Sequence, residues 1–373
     1  MPVRLDGRVQ PVLFRVRLDD AACAAAPLLL APPAGLLYDA RMPPRRDPLK
    51  EQLDALAALR EQPLPRRDEP AYEARQSLLR SALTARSSFA VAAAAEHLRE
   101  SDTELLALLP RAFERFLSGA EPSDKGCSAK TAIARALERV ESDEETVFRR
   151  GLLHVQREPV FGGRQDTAVE LRGTCALGLA RLSPPDVLTL LAELLADPEH
   201  GARTAAARAL GCTGQAGAAP LLRFKALVGD DEPLVLAECL TSLLSLEQAA
   251  AIPFAQRFLS PEDEPRGDAA ALALGQSRLP EAVPLLKDYA DAPPRARRKA
   301  ALVALAMLRR PEATEHLLEL VREAEPGQAA LAVEALALNR HDAALHRQVA
   351  QSVAARRSAV LSTALARAFG SAP

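Results

Sequence analysis

The side chains best suited to chemistry gather in one stretch, R-R-G-L-L-H-V-Q-R-E-P-V-F-G-G-R-Q-D-T-A-V-E-L-R-G (149–173). It holds His154, Arg157, Glu158, Arg164, Asp166, Glu170 and Arg172 around a Gly162–Gly163 turn. His154 and Glu158 are four residues apart, which places both on one face if the segment is helical. With Asp166 or Glu170 they would form a His/carboxylate metal set. A single histidine is a thin ligand set, however, so no metal and no cofactor is expected. The same charges fit an ion-paired loop bridging two structural units, or a partner-binding surface.

Two further stretches invite a chemical reading. D-K-G-C-S-A-K-T (124–131) superficially looks like a phosphate loop but lacks the G-x-x-x-x-G-K-[ST] spacing, and no Val/Ile-rich strand precedes it. Ser123 or Asp124 is instead expected to cap a helix beginning near Ser128. A-P-P-R-A-R-R-K-A (292–300) supplies Arg295, Arg297, Arg298 and Lys299, with Arg309 and Arg310 close behind. Arginine clusters of this kind can contact phosphates; the competing reading is a solvated helix start. The chain as a whole has 47 Lys plus Arg against 49 Asp plus Glu, which argues against a generic polyanion binder.

The elements that must position these groups are helices. Alanine makes up about a fifth of the chain, far above ordinary usage, and aromatics only 3% with no Trp. Ala and Leu form helices well, whereas a β-sandwich would need more β-branched and aromatic residues. At 373 residues the chain suits two domains or one elongated array. The five cysteines are scattered and contain no C-x-x-C pair, so reduced thiols and a cytoplasmic location are expected. The apolar run at 21–37 is broken by prolines and lacks a basic lead-in, so neither a signal peptide nor a membrane span is expected.

A repeat organises the chain. Leu179, Leu210, Leu243, Leu274, Leu305 and Leu336 anchor similar Ala-rich segments about 31 residues apart. Four residues before each lies a small residue: Cys175, Ala206, Cys239, Ala270, Ala301 and Ala332. That spacing sets both on one helix face, so Cys175 and Cys239 read as core residues rather than reactive thiols. Pro220, Pro253 and Pro284 sit ten residues after three of the anchors, where a second helix would begin. Acidic, proline-containing breaks at 196–199, 230–233, 261–265 and 323–326 separate the units.

These units resemble HEAT-like repeats of the short bacterial kind, also called phycobilisome-lyase-type repeats. The likeness is clear over 170–340 and looser over 73–150, where S-F-A-V-A-A-A-A-E-H-L (88–98) and T-A-I-A-R-A-L-E-R-V (131–140) look like first helices. The resemblance implies an all-α fold, an α-solenoid of stacked antiparallel helix pairs. The expected organisation is a non-repeat arm at 1–47, with a short strand at 12–18 and a Pro-rich stretch. A short helix and Pro/Arg-rich linker follow at 48–70, then the solenoid over 71–370, closed by a capping helix near 355–368. The anchor spacing jumps to 42 residues between Leu137 and Leu179. This places an insertion at about 149–173, and insertions in solenoids map to loops on one face.

The fold leaves function open, since proteins of this kind serve as scaffolds, nucleic-acid binders, bilin lyases and hydroxylases. The hydroxylase branch uses paired His-Glu dipeptides, and none of the six histidines here is followed by Glu. The alkylpurine glycosylase branch uses an aromatic-lined basic cleft, and aromatics are scarce here. A non-enzymatic protein-interaction scaffold is therefore the expected function, with another protein or peptide as partner. Its surface would be the insertion or the second-helix row, including Arg223, Lys225, Arg257, Lys287 and Glu319. The alternatives are nucleic-acid binding through the 295–299 region and an enzyme with its site in the insertion.

Overall fold

The structure is a computed structural model that describes residues 47–373, except 120, 261–262, 292–297 and 371–373, and without the side chains of 121, 122 and 298. The strand at 12–18, the arm, Cys23, Arg295 and Arg297 lie outside the described residues. Helices account for nearly all regular structure, in the order α1 (Pro48–Ala58), α2 (Pro70–Thr84), α3 (Ser88–Glu96), α4 (Thr103–Leu106), α5 (Leu109–Leu117), α6 (Ser128–Arg139) and α7 (Glu145–Leu152). A two-stranded hairpin follows, β1 (Arg157–Val160) and β2 (Gly163–Asp166). Then come α8 (Val169–Leu182), α9 (Val187–Leu194), α10 (His200–Cys212), α11 (Ala218–Val228), α12 (Pro233–Glu247), α13 (Ile252–Gln256) and α14 (Glu264–Ser277). The last six are α15 (Ala282–Asp291), α16 (Arg298–Leu308), α17 (Pro311–Glu323), α18 (Pro326–Leu336), α19 (Ala343–Arg356) and α20 (Ala359–Phe369).

The helices pair as an all-α solenoid. One row of first helices runs α3, α6, α8, α10, α12, α14, α16, α18 and α20, each packed on the next, and α1 packs on α3. The anchor leucines and the small residues four positions before them lie in the seam of this row. Every one of them is at most 1% exposed. Small side chains allow close approach: a Cβ on Gly275 of α14 would stand 2.6 Å from the Cα of Ala304 on α16. Likewise a Cβ on Gly178 would stand 2.6 Å from the Phe148 ring.

Local signals start and stop the helices. Proline occupies the first turn of α1, α2, α12, α14, α17 and α18, where its missing N–H costs nothing. Pro220 lies in the first turn of α11 and Pro253 in that of α13. Asp47, Ser87, Asp263 and Asp342 cap α1, α3, α14 and α19 by accepting first-turn N–H bonds. Among the described residues one helical run, Pro233–Gln256, is long and apolar enough by length and composition to cross a membrane, with a mean hydropathy of 1.4 over an 18-residue window. It is interrupted at Gln248 (φ 53°), and its α12 portion packs between α10 and α14. α20 buries only Leu361 and Ala364 and leaves its other face open at the end of the row.

Candidate functional site

The insertion lies between α7 and α8, where one repeat passes to the next. Residues 149–152 finish α7 and 169–173 begin α8, so the extra chain is 153–168. His154 and Glu158 do not share a helix face. α7 ends at Leu152, His154 follows it in a turn, and Glu158 sits in β1. Pro159 cannot join an interior helical turn, and Gly162 (φ 90°) supplies the left-handed position that turns β1 back antiparallel onto β2. The register pairs Arg157 with Asp166, Glu158 with Gln165, Pro159 with Arg164 and Val160 with Gly163.

A buried polar root holds the hairpin. Asp166 Oδ1 accepts the N–H groups of Gln156 (3.1 Å) and Ala168 (2.9 Å), and its Oδ2 accepts from Arg172 Nη1 at 2.7 Å. Arg172, 2% exposed, also donates to the His154 carbonyl (3.0 Å) and through Nη2 to Asp197 (3.0 Å), the turn of the next repeat. Glu158 Oε1 accepts three bonds: from Gln156 Nε2 (2.6 Å), the Gly126 N–H (2.6 Å) and Thr167 Oγ1 (3.1 Å). Gln156 donates as well to the Asp124 carbonyl at 2.7 Å. Asp124 in turn caps α6, accepting the N–H groups of Ala129 (2.8 Å) and Lys130 (3.2 Å), and pairs with the buried Lys130 ammonium at 3.0 Å. The phosphate-loop lookalike is thus a helix cap under the hairpin.

These contacts set the protonation states. Burial pushes the Asp166 carboxyl up, but the Ala168 N–H, Arg172 and the Gln156 N–H outweigh it and hold the group below its ordinary value. Glu158 behaves the same way: burial raises it, and bonds from Gln156, Gly126 and Thr167 bring it below the usual range. Burial lowers His154, against a smaller opposing contribution from its Gln156 contact. Each charged group at the root therefore already has an internal partner. Arg157 and Arg164 lie exposed along the hairpin, and Glu170 points away on α8 to pair with Arg135 of α6. Among the described residues no group of three His, Cys, Asp or Glu side chains is placed to hold a metal ion.

The hairpin's exposed surface is apolar at the tip. Phe161 is fully exposed beside Val160, and Leu153 and Val155 are exposed at the base. Residue type alone does not single out these four, except that Phe161 stands in a V-F-G-G turn in a chain with few aromatics. A repeated ion pair is likewise invisible in the sequence. Arg172 and Arg203 each lie seven residues before an anchor leucine, and they reach Asp197 and Asp230 in the following turns. Of the alternative basic patch, Lys299 and Arg309 are exposed, and Arg310 donates to the Arg278 carbonyl at 2.9 Å. Lys299, Arg309 and Arg310 line neither of the two clefts at α1–α3 and at α11–α14.

Two clefts lie elsewhere. One of about 1400 Å³ is bounded by α1, the 59–69 turn, α2 and the ends of α3 and α6. Three of its five arginines are engaged: Arg60 with Glu96, Arg75 with Asp102, and Arg139 with the carbonyls of Ala95, Glu96 and Leu98. The other, about 620 Å³, is lined by Asp197, Arg203, Lys225, Asp230, Asp231, Asp263 and Arg266. There Asp230 takes both Arg203 and Lys225 at 2.7 and 2.9 Å.

A sequence profile described as HEAT repeats matches residues 163–224 and 223–306, the segment that follows directly on the hairpin tip. Residues 163–306 carry HEAT repeats. Among solved structures, the complex of CpcE and CpcF of phycocyanin lyase from a Nostoc species aligns with 68% of this chain and 94% of that one. The identity there is 20% and the TM-score 0.35. Human deoxyhypusine hydroxylase, in complex with glycerol, aligns with 80% of this chain and 95% of its own. Its identity is 15% and its TM-score 0.27. No curated protein matches the chain in sequence.

Proposed function

We propose that this HEAT-repeat chain is a non-enzymatic interaction scaffold whose docking element is the 153–168 hairpin, and that its partner is a protein. The observation that carries the reading is the full exposure of Phe161 on a hairpin whose root is buried and hydrogen bonded. An exposed aromatic costs solubility, and interface hot spots are enriched in aromatics that bury large area with few rotatable bonds. A rigid root lowers the ordering entropy lost on binding. Asp166, Glu158 and Arg172 are hydrogen bonded within the root, which favours this reading over an enzyme, because a general acid or base needs a free lone pair or proton facing substrate.

The test is capture from a native lysate by immobilised wild type, Phe161→Asp, and an Arg208→Leu control outside the hairpin and its root. The expected result is a protein retained by wild type and control and lost with Phe161→Asp. Retention by all three removes the hairpin as the docking element. Recovery of nucleic acid in place of protein, weakening steeply with salt, overturns the choice of partner class.

A further inference from the structure

A second exposed apolar surface lies on the same edge of the array as the hairpin. Phe224, Leu227 and Val228 line one face of α11 at i, i+3 and i+4, and Leu234 joins them from the start of α12. All four are exposed, while the opposite face of α11 buries Ala218, Ala219, Leu222 and Ala226. The hairpin and the α11–α12 turn are both connections from a second helix to the next first helix, so both sit on one edge. Arg172 at the hairpin root reaches Asp197, which lines the same cleft as Val228.

Charge differs along that edge. The turns after α11 and before α14 are acidic, and Asp231 and Glu264 are exposed there. The hairpin is cationic on its outer side. Its own acids, Glu158 and Asp166, turn into the root, which leaves Arg157 exposed with Lys125 nearby.

We infer that the partner of the hairpin is a second copy of this chain. The Phe161 tip of each copy enters the surface formed by Phe224, Leu227, Val228 and Leu234 of the other. Arg157 and Lys125 then face the acidic turns that carry Asp231 and Glu264. Because peg and socket share one edge, a two-fold arrangement makes both contacts at once, and the result is a closed dimer rather than an open chain. The inference rests on the hairpin being a protein-docking element. Opposed charge makes the association stronger at low salt.

The experiment is sedimentation equilibrium of the purified full chain up to about 100 µM, a range that brackets small interfaces. Wild type is expected to shift from monomer to dimer. Phe161→Asp and Phe224→Asp, each an exposed position and each checked by circular dichroism, should weaken the dimer at least about thirtyfold. Mixing the two variants should restore association in part, because one intact peg then meets one intact socket. A wild type that stays monomeric overturns the inference, as does a dimer indifferent to Phe224→Asp. The lysate capture separates the two levels: a monomeric wild type whose captured protein is lost with Phe161→Asp keeps the docking hairpin and rejects the second copy. Phe161→Asp without effect in either assay rejects both.

Discussion

Replacing Arg172 with leucine isolates what holds the hairpin. The guanidinium is 2% exposed and bonds Asp166 at 2.7 Å, Asp197 at 3.0 Å and the His154 carbonyl at 3.0 Å. The substitution leaves two carboxylates, 6% and 10% exposed, without their cation. Breaking a buried pair in this way costs about 3–5 kcal/mol. Contacts in a solenoid run only to neighbouring repeats, so the loss should appear as local opening rather than uniform destabilisation. Hydrogen exchange read by mass spectrometry is the matching assay. Amides of 154–168 and of the Asp197 turn through the first turn of α10 should exchange roughly 140- to 3,700-fold faster, at 1.4 kcal/mol per factor of ten. Those of α16–α20 should hardly change. The comparison is Arg208→Leu, whose Glu238 partner pairs with a largely exposed guanidinium, so its effect should stay within about fivefold. Equal exchange in the two variants would refute the claim that buried ion pairing, rather than strand pairing alone, anchors the insertion.

Other outcomes follow from the same geometry. Gly275→Ala drives a Cβ into the Ala304 backbone and should destabilise the α14–α16 seam by about 1–3 kcal/mol, read as a lower urea midpoint. Stability should fall in two steps on acidification. His97, His154 and His316 are held below their ordinary 6.5, chiefly by burial. The unfolded chain therefore binds protons before the folded one, and stability declines as pH drops from 6.5 toward those lower values. Asp102, Asp166 and Asp230 are held below 3.8, so their contribution is present above that pH and is lost as pH falls through their folded values. His154→Gln should shrink the first step and leave the second; an unchanged urea-midpoint profile counts against the assignment. Native alkylation mapped by mass spectrometry should label exposed Cys212 ahead of Cys127, Cys175 and Cys239. Burial pushes the Cys127 and Cys239 thiols up to about 12; early labelling of either would contradict their packing.

The repeat was legible because burial imposes a period. A leucine that must fill each seam, with a small residue one turn earlier, recurs wherever the same helix pair stacks, and that leaves Leu179 to Leu336 evenly spaced. The insertion was legible for the same reason, as a gap in the spacing. Its conformation was not. Periodicity says nothing about a segment that belongs to no seam, so the four-residue interval between His154 and Glu158 read as helical when Pro159 and Gly162 made a hairpin. The roles of the charged residues were decided only by tertiary structure. Arg172, Asp166, Asp124 and Lys130 look equally available along the chain, yet three-dimensional packing pairs them with one another and with Asp197, far away in sequence. What that pairing leaves outward is Phe161, because a two-residue turn cannot bury its own tip. Composition determined that this chain is stacked helices; only the fold determined which side chains are spent holding it together and which remain exposed.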